Sequence, residues 1–476
     1  MHTTAHITLR SSERRRYRCV SAPVLVVLVI FAVLSAALLP VKCMQTQAAI
    51  QEEPESKISK INHIIVIYQE NWSFDSLYGK FPGANGLANA NSTIPQVDKN
   101  GAAVTTLPQP INNNVSPAVP DSRFPANMPV APYDLSQFVP ADQVTGDIIH
   151  RFYHEQLQID GGKMDKFVTW SDNGGLVFSY FDASKMPEGK LAKKYVMCDN
   201  WFHSAFGGSF LNHIFFISAA PPAWPNAPAD AISNPDPAHL NDARVTPDGF
   251  AVNTSFTINT PHPSNVTDPN ELVPQQTMPT IGDRLNDKGI TWKWYSGGWN
   301  NALAGHADAL FQFHHQPFAY FQNYADGTAA KAAHLQDEQN FLTDVSNGTL
   351  PAVSFIKPLG PDNEHPGYAN ELQGQQHVAA IVDAVRSSQY WQDCVIIVTY
   401  DENGGRWDHV PPPVIDQWGP GTRVPGIIIS PLAKRHFVDS TRYETVSILK
   451  FIENRFGLAP LSSRDANAND LSNAFR

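Results

Sequence analysis

Two apolar runs in this chain each break off into acidic and amide side chains. His63-Ile64-Ile65-Val66-Ile67-Tyr68 leads into Gln69-Glu70-Asn71, and Cys394-Val395-Ile396-Ile397-Val398-Thr399-Tyr400 leads into Asp401-Glu402-Asn403-Gly404-Gly405. Gathered in one place, these ends offer three carboxylates and an amide oxygen. Carboxylates that close repel one another and raise one another's pKa unless a cation neutralises them, so a hard divalent metal is the economical explanation. A third stretch, Gly207-Gly208-Ser209, precedes the apolar Ile214-Phe215-Phe216-Ile217. The glycines free the backbone to set the Ser209 hydroxyl at a helix N-terminus, where amides and dipole favour an anion. On these residues alone, a glycine turn with a capping serine fits equally well. A neutral serine is a weak nucleophile. A metal beside it would stabilise its alkoxide and draw a phosphoryl oxygen into line.

The elements that must position these residues are legible as short buried strands alternating with helices. β-Branched runs of this kind read as strands of a parallel sheet, whose carboxyl ends are where ligands bind in open α/β folds. Tyr195–Cys198, Ile290–Tyr295, Pro351–Ile356 and Val424–Ser430 are further strand candidates. Val378, Ile381, Val382 and Val385 recur at the spacing of a one-faced helix. Thr441-Arg442-Tyr443-Glu444 reads as a capping box opening a helix through Val446, Leu449, Ile452 and Phe456. The alternation predicts an α/β fold, a three-layer α/β/α sandwich with a mostly parallel central sheet, spanning about 55 to 476 as one domain. Proline-rich insertions at about 92–145 and 221–276 are expected to lie over the catalytic edge. No phosphate-binding glycine loop of the mononucleotide or dinucleotide type occurs.

The N-terminus reads separately. Arg14, Arg15, Arg16 and Arg18 precede an uncharged run from Ala22 to Leu39 and a small-residue exit near Ala48-Ala49. That pattern is an export signal, favoured here, or a membrane anchor over residues 22–39 within a leader of 1–49. Either address makes the protein exported, periplasmic or secreted, with membrane association through the apolar run in the anchored case. Residues 1–49 hold six of the Lys/Arg and one of the Asp/Glu, which leaves 28 basic and 44 acidic residues, a net charge near −16. Such a chain is a poor nucleic-acid binder, and an anionic substrate would need positive charge supplied locally. Outside the leader only Cys198 and Cys394 occur. An oxidising compartment permits their pairing, but both sit in or beside apolar runs and read better as buried free thiols.

Together the motifs resemble the bacterial phosphoesterase family that holds acid phosphatases and non-zinc phospholipases C, within the alkaline phosphatase superfamily. Gln69-Glu70-Asn71-Trp72-Ser73-Phe74-Asp75 is similar to its first signature. Gly161-Gly162-Lys163-Met164-Asp165, Gly207 through Asn212, Glu364-His365-Pro366, Tyr400 through Gly405, Asp408-His409 and Arg423 through Gly426 follow in the family's order. The resemblance implies an alkaline phosphatase-like fold with one divalent metal held by Glu70, Asn71, Asp401, Glu402 and Ser209. It implies that Ser209 is the nucleophile and that His154 and His365 line the phosphate pocket, and it leaves Asp408 and His409 as supporting residues. His203, His213, His314 and His315 carry no motif support and are expected to be structural. All-oxygen ligands favour Ca²⁺, Mg²⁺ or Mn²⁺ over Zn²⁺, with Zn²⁺ still open. Ser209 after two glycines resembles the acid phosphatase branch, whereas the phospholipase C branch typically carries threonine there. The expected substrates are small phosphate monoesters, with phospholipid head groups as the alternative.

Overall fold

The computed structural model describes residues 57–90 and 94–476. The leader, with its signal or anchor and the cleavage region, falls outside them. The described residues belong to a compact unit running from Glu55 to Arg476. Among them no helix is long and apolar enough to cross a membrane.

Eight strands make the central sheet: β1 (His63–Gln69), β2 (Val196–Cys198), β3 (Trp292–Ser296), β4 (Leu335–Asp337), β5 (Val353–Lys357), β6 (Cys394–Tyr400), β7 (Gly426–Ile429) and β8 (Phe437–Asp439). Their order is β4-β3-β5-β1-β6-β7-β2-β8. All pairings are parallel except those of β7, which runs against both β6 and β2. The strand expected at Val424–Ser430 is therefore present but reversed. The central strands β1, β5 and β6 are almost wholly buried, as unbroken β-branched runs require when both faces are covered. The expected strand from Ile290 begins two residues later, at Trp292.

The principal helices are α1 (Phe152–Ile159), α2 (Ser209–Ser218), α3 (Glu338–Asn347), α4 (Glu371–Arg386) and α5 (Val446–Phe456). One sheet face packs on α2, where Phe216 meets Tyr68 of β1, Trp294 of β3 and Phe355 of β5. On the other face α4 packs so closely that a Cβ on Gly374 would lie 2.2 Å from the Glu364 side chain. The result is the three-layer α/β/α sandwich. The capping box at Thr441 does not form: Tyr443–Glu444 pairs as a strand with Trp201–Phe202, and α5 starts after Thr445 without a side-chain cap. Glu444 instead pairs with the buried Arg464, 2.7 Å away. Cys198 and Cys394 are free and buried.

Register decides what the strand ends carry. β1 and β6 pair in step from His63↔Cys394 to Gln69↔Tyr400, and the ladder continues with the Asp401 amide donating to Gln69 O at 3.1 Å. Because side chains alternate faces, Glu70 and Asp401 emerge side by side on the α2 side, one step beyond Tyr68. Gly404 follows in the left-handed region at φ 59°, and a Cβ there would fall 2.2 Å from the Asn71 carbonyl oxygen. Gly404→Ala is expected to cost more than about 1 kcal/mol and to push the Asn71 end of β1 aside. Thermal unfolding should show a lowered Tm with an unchanged far-UV circular dichroism spectrum.

Candidate active site

The nucleophile loop is set by two buried polar side chains. Glu155 of α1 accepts from the Gly207 amide at 2.6 Å and from Thr422 at 2.9 Å, and holds His203 at 2.8 Å. Asn212 bridges back to Ala205, accepting from its amide at 3.0 Å and donating to its carbonyl at 2.9 Å. Gly207 sits at φ 83° with Phe152 N only 2.5 Å from where a Cβ would be, so glycine is required at this turn. Ser209 is then the first residue of α2, 6% exposed, on the wall of a cavity of about 580 Å³.

Around that hydroxyl the two strand ends converge. Asn71 donates to Glu402 Oε1 at 2.6 Å, which turns its own Oδ1 away from any hydrogen-bond partner. Asp401 Oδ1 takes the Glu402 amide at 2.9 Å, and its Oδ2 has no hydrogen bond and lies 3.9 Å from His213 Nδ1. Burial, and then Glu70 beside it, push the Asp401 carboxyl well above the carboxylate range, against a lowering contact from the Ser209 hydroxyl. Burial raises Glu402 as well, in spite of His150 at 3.7 Å. Burial would also raise Glu70, but there the neighbours win and its pKa falls well below the usual value. Its Oε1 lies 2.6 Å from Lys357 Nζ and 2.6 Å from His315 Nε2. Burial, with Lys357 adding to it, lowers His315 to about 4 against the pull of Glu70, so at neutral pH its ring is uncharged and Lys357 is the cation of this group.

The structure thus brings Glu70, Asn71, Ser209, Asp401, Glu402 and His365 together. His365 lines the cavity with Nε2 3.7 Å from Glu70 Oε2, stacked on Tyr368. It does not bring His154 there. His154 faces Asp242, whose carboxylate accepts from the Tyr153 and His154 amides and from His154 Nδ1 at 2.8–2.9 Å, closing the N-terminus of α1. One helical turn earlier, His150 is the histidine on the cavity wall, its ring 5.5 Å from that of His365 and its backbone packed on Gly208. Asp408 and His409 do not line the cavity. With Asp75 they surround Arg423, whose guanidinium meets Asp408 at 2.8 Å and Asp75 at 3.3 Å, while His409 meets Asp75 at 2.6 Å.

Four contributors escape the sequence reading: His150, His314, His315 and Lys357. Asp147-Ile148-Ile149-His150 does place an acid and a histidine three apart just before α1, a signal as good as the one at His154. His314 and His315 come from an irregular stretch with no pattern. His213 is structural in one sense, giving its Nδ1 to the Ser209 carbonyl at 2.7 Å. Yet ligand atoms of Glu70, His213 and His315 lie within 4.8 Å of one another, so the donors here are not all oxygen.

Both insertions reach the cavity, the first through Asn113 and Asn114 and the second through Arg244, Asn253 and Thr254. On the opposite face of the same strand ends, Gln69 donates to Glu364 at 2.7 Å, and burial raises the pKa of Glu364, Glu188 and Glu371 alike.

Buried carboxylates on adjacent parallel strands thus stand beside a helix-terminal serine at this cavity. Residues 61–459 match the phosphoesterase family, and the chain belongs to it. Curated relatives include the non-hemolytic phospholipase C of Pseudomonas aeruginosa, 23% identical over 93% of this chain and 61% of that protein. Phospholipase C B of Mycobacterium tuberculosis is 24% identical over 88% of this chain and 78% of its own length. Non-specific phospholipase C3 of Arabidopsis thaliana is 25% identical over 79% and 64%. This chain thus spans less than two thirds of the Pseudomonas and Arabidopsis proteins. Among solved structures, a protein in the alkaline phosphatase superfamily from Vibrio parahaemolyticus is 10% identical, with a TM-score of 0.34 over 70% of this chain and 73% of that one.

His150 supplies a test of the site's electrostatics. Burial lowers its pKa, but Glu402 and Asp147 outweigh that and raise it to about 9. A base raised on folding stabilises fully below its unfolded value of about 6.5, and that stabilisation is lost as pH rises through the folded value. In chelator, the Tm advantage of the parent over His150→Gln should therefore shrink between pH 6.5 and 10. A constant difference across that range would contradict the assignment.

Proposed function

We propose that the protein is an exported, metal-dependent phosphoesterase that hydrolyses phosphate monoesters through a phosphoryl group on Ser209. The observation that carries this reading is the convergence of Ser209, at the α2 N-terminus, and Glu70, both on the cavity wall, with the buried Asn71, Asp401 and Glu402. Glu70 Oε2, Asn71 Oδ1 and Asp401 Oδ2 are buried oxygens with no hydrogen-bond partner, which is what ligands prepared for a cation look like. Those four residues and Ser209 would hold the divalent ion, and Ca²⁺, Mg²⁺, Mn²⁺ and Zn²⁺ all remain compatible now that His213 and His315 stand beside Glu70. When bound, the metal supplies charge stabilisation for the serine oxygen and for the phosphoryl group.

The chain's own groups do the rest. Ser209 passes its hydroxyl proton to the adjacent Asp401 carboxylate as its oxygen attacks phosphorus from the wall of the cavity, with the α2 amides facing the incoming oxygens. It recovers that proton when it leaves in the second half. His150, protonated at neutral pH, faces the same space and gives its proton to the departing alcohol. His365, stacked on Tyr368, binds a phosphoryl oxygen. Water then attacks the phosphoserine, His150 taking back a proton, and two inversions leave the configuration at phosphorus retained.

A second reading is phospholipase C activity, favoured by the names of the relatives, with a diacylglycerol as the leaving alcohol. The Gly-Gly-Ser209 context favours monoesters. Kinetics on p-nitrophenyl phosphate and phosphatidylcholine side by side should show the monoester cleaved at least as well. Exclusive release of diacylglycerol would put the second reading in its place.

Ser209→Ala should lower turnover by about three powers of ten or more, with a stability change of no more than about 1 kcal/mol and retained phosphate binding. A stable, fully active Ser209→Ala protein would leave the serine as a helix cap. Asp401→Asn should remove metal and activity together, as read by elemental analysis and turnover on the same preparation.

A further inference from the structure

Lys357 is 0% exposed and ends β5, the strand next to β1 on the side away from β6. The register Ile67↔Ile356 brings it level with Tyr68, and its ammonium sits 5.3 Å over the Tyr68 ring. A fully buried lysine is rare unless it is paired. This one has a single close anionic contact, Glu70 Oε1 at 2.6 Å, and its Nζ makes no hydrogen bond. It therefore stands beside the ligand carboxylates without being held by anything else.

We propose that Lys357 is a resident cation of the metal site, which sets the charge that an incoming ion must match. This rests on the metal-dependent reading above. Glu70, Asp401 and Glu402 together carry three negative charges when ionised, and Lys357 brings the group to −2. The ammonium therefore opposes each further positive charge, and it opposes a trivalent ion or a second divalent ion more than a single divalent one. Without the ammonium the group stands at −3 and welcomes the extra charge. At an effective dielectric of about 20, a unit charge several ångström away changes the binding of one further positive charge by about one to two powers of ten. His150 lies next to Glu402 and is present whether or not Lys357 is replaced, so its charge cancels in the comparison. Lys357 is thus a specificity-determining and positioning residue.

The experiment measures Tb³⁺ and Ca²⁺ affinities by Tb³⁺ luminescence and Ca²⁺ competition on the purified full chain. It compares the parent with Lys357→Met, Lys357→Gln and, as a control of equal charge, Lys293→Met. Lys293 pairs with Asp344 at 2.6 Å, outside the ligand group. The preference for Tb³⁺ over Ca²⁺ should rise tenfold or more in both Lys357 variants and stay within threefold of the parent in Lys293→Met. A variant that folds only when Tb³⁺ is supplied gives the same answer. A preference within threefold of the parent in a folded Lys357 variant overturns the proposal while the metal reading stands. So does failure of both variants to fold in chelator, Ca²⁺ and Tb³⁺ alike, which makes Lys357 a packing residue. A parent that binds neither ion overturns the metal reading and this inference together.

Discussion

The contact on which the site depends is the one between Glu70 and Asp401, two buried carboxylates that the β1–β6 ladder sets side by side. Nothing in the ladder lets them separate. A one-residue slip in either strand would turn one of them to the opposite face, and the unbroken hydrogen bonding up to the Asp401 amide forbids it. The fold therefore accepts an electrostatic conflict as the condition of having the two strands adjacent. Lys357 relieves part of it, Asn71 relieves some of the crowding at Glu402, and Glu70 Oε2, Asn71 Oδ1 and Asp401 Oδ2 keep no hydrogen-bond partner.

The two faces of the same strand ends resolve similar crowding in different ways. Toward α2, the acids stand near a lysine, histidines and a serine, and a raised pKa at Asp401 signals charge not yet neutralised. Toward α4, Glu188, Glu364 and Glu371 cluster without a cation. Gln69 and Tyr400 give hydrogen bonds to Glu364, while burial raises the pKa of all three carboxyls. Alternation along β1 and β6 sends Gln69 and Tyr400 one way and Glu70 and Asp401 the other. Chemistry and scaffold are thus separated by single-residue steps.

Much of this was legible from the residues. Buried parallel strands announce themselves by β-branched runs, and acids directly after them mark the ligand-binding edge, so β1, β6 and their four polar ends could be read directly. The reversal of β7 could not, because an apolar run reads the same in both directions. His150 and His154 differ by one helical turn, and only the carboxylate of Asp242, 88 residues further along, decides which of them faces the cavity. Lys357 at the end of an apolar strand looks like an ordinary solvated terminus until the register shows what it adjoins. Thr441 fits a helix-start pattern, but pairing of Tyr443–Glu444 with Trp201–Phe202 claims that backbone first.

The position of β1 in the sheet has a consequence for how the protein is made. It is the first strand among the described residues and a central one in space, and both its partners come from the distant C-terminal part, Asn71 reaching Glu402 across 331 residues. Pairings of such long range are slow to find and are entropically expensive before they form. As the chain emerges, this apolar strand has no neighbour to join until β5 (Val353–Lys357) has been made, and it stays a hazard for association with other chains throughout that interval. The sheet's completion is thus a late event, and truncation before residue 394 would leave β1 paired with β5 alone and without its longer partner β6, rather than yield a smaller enzyme.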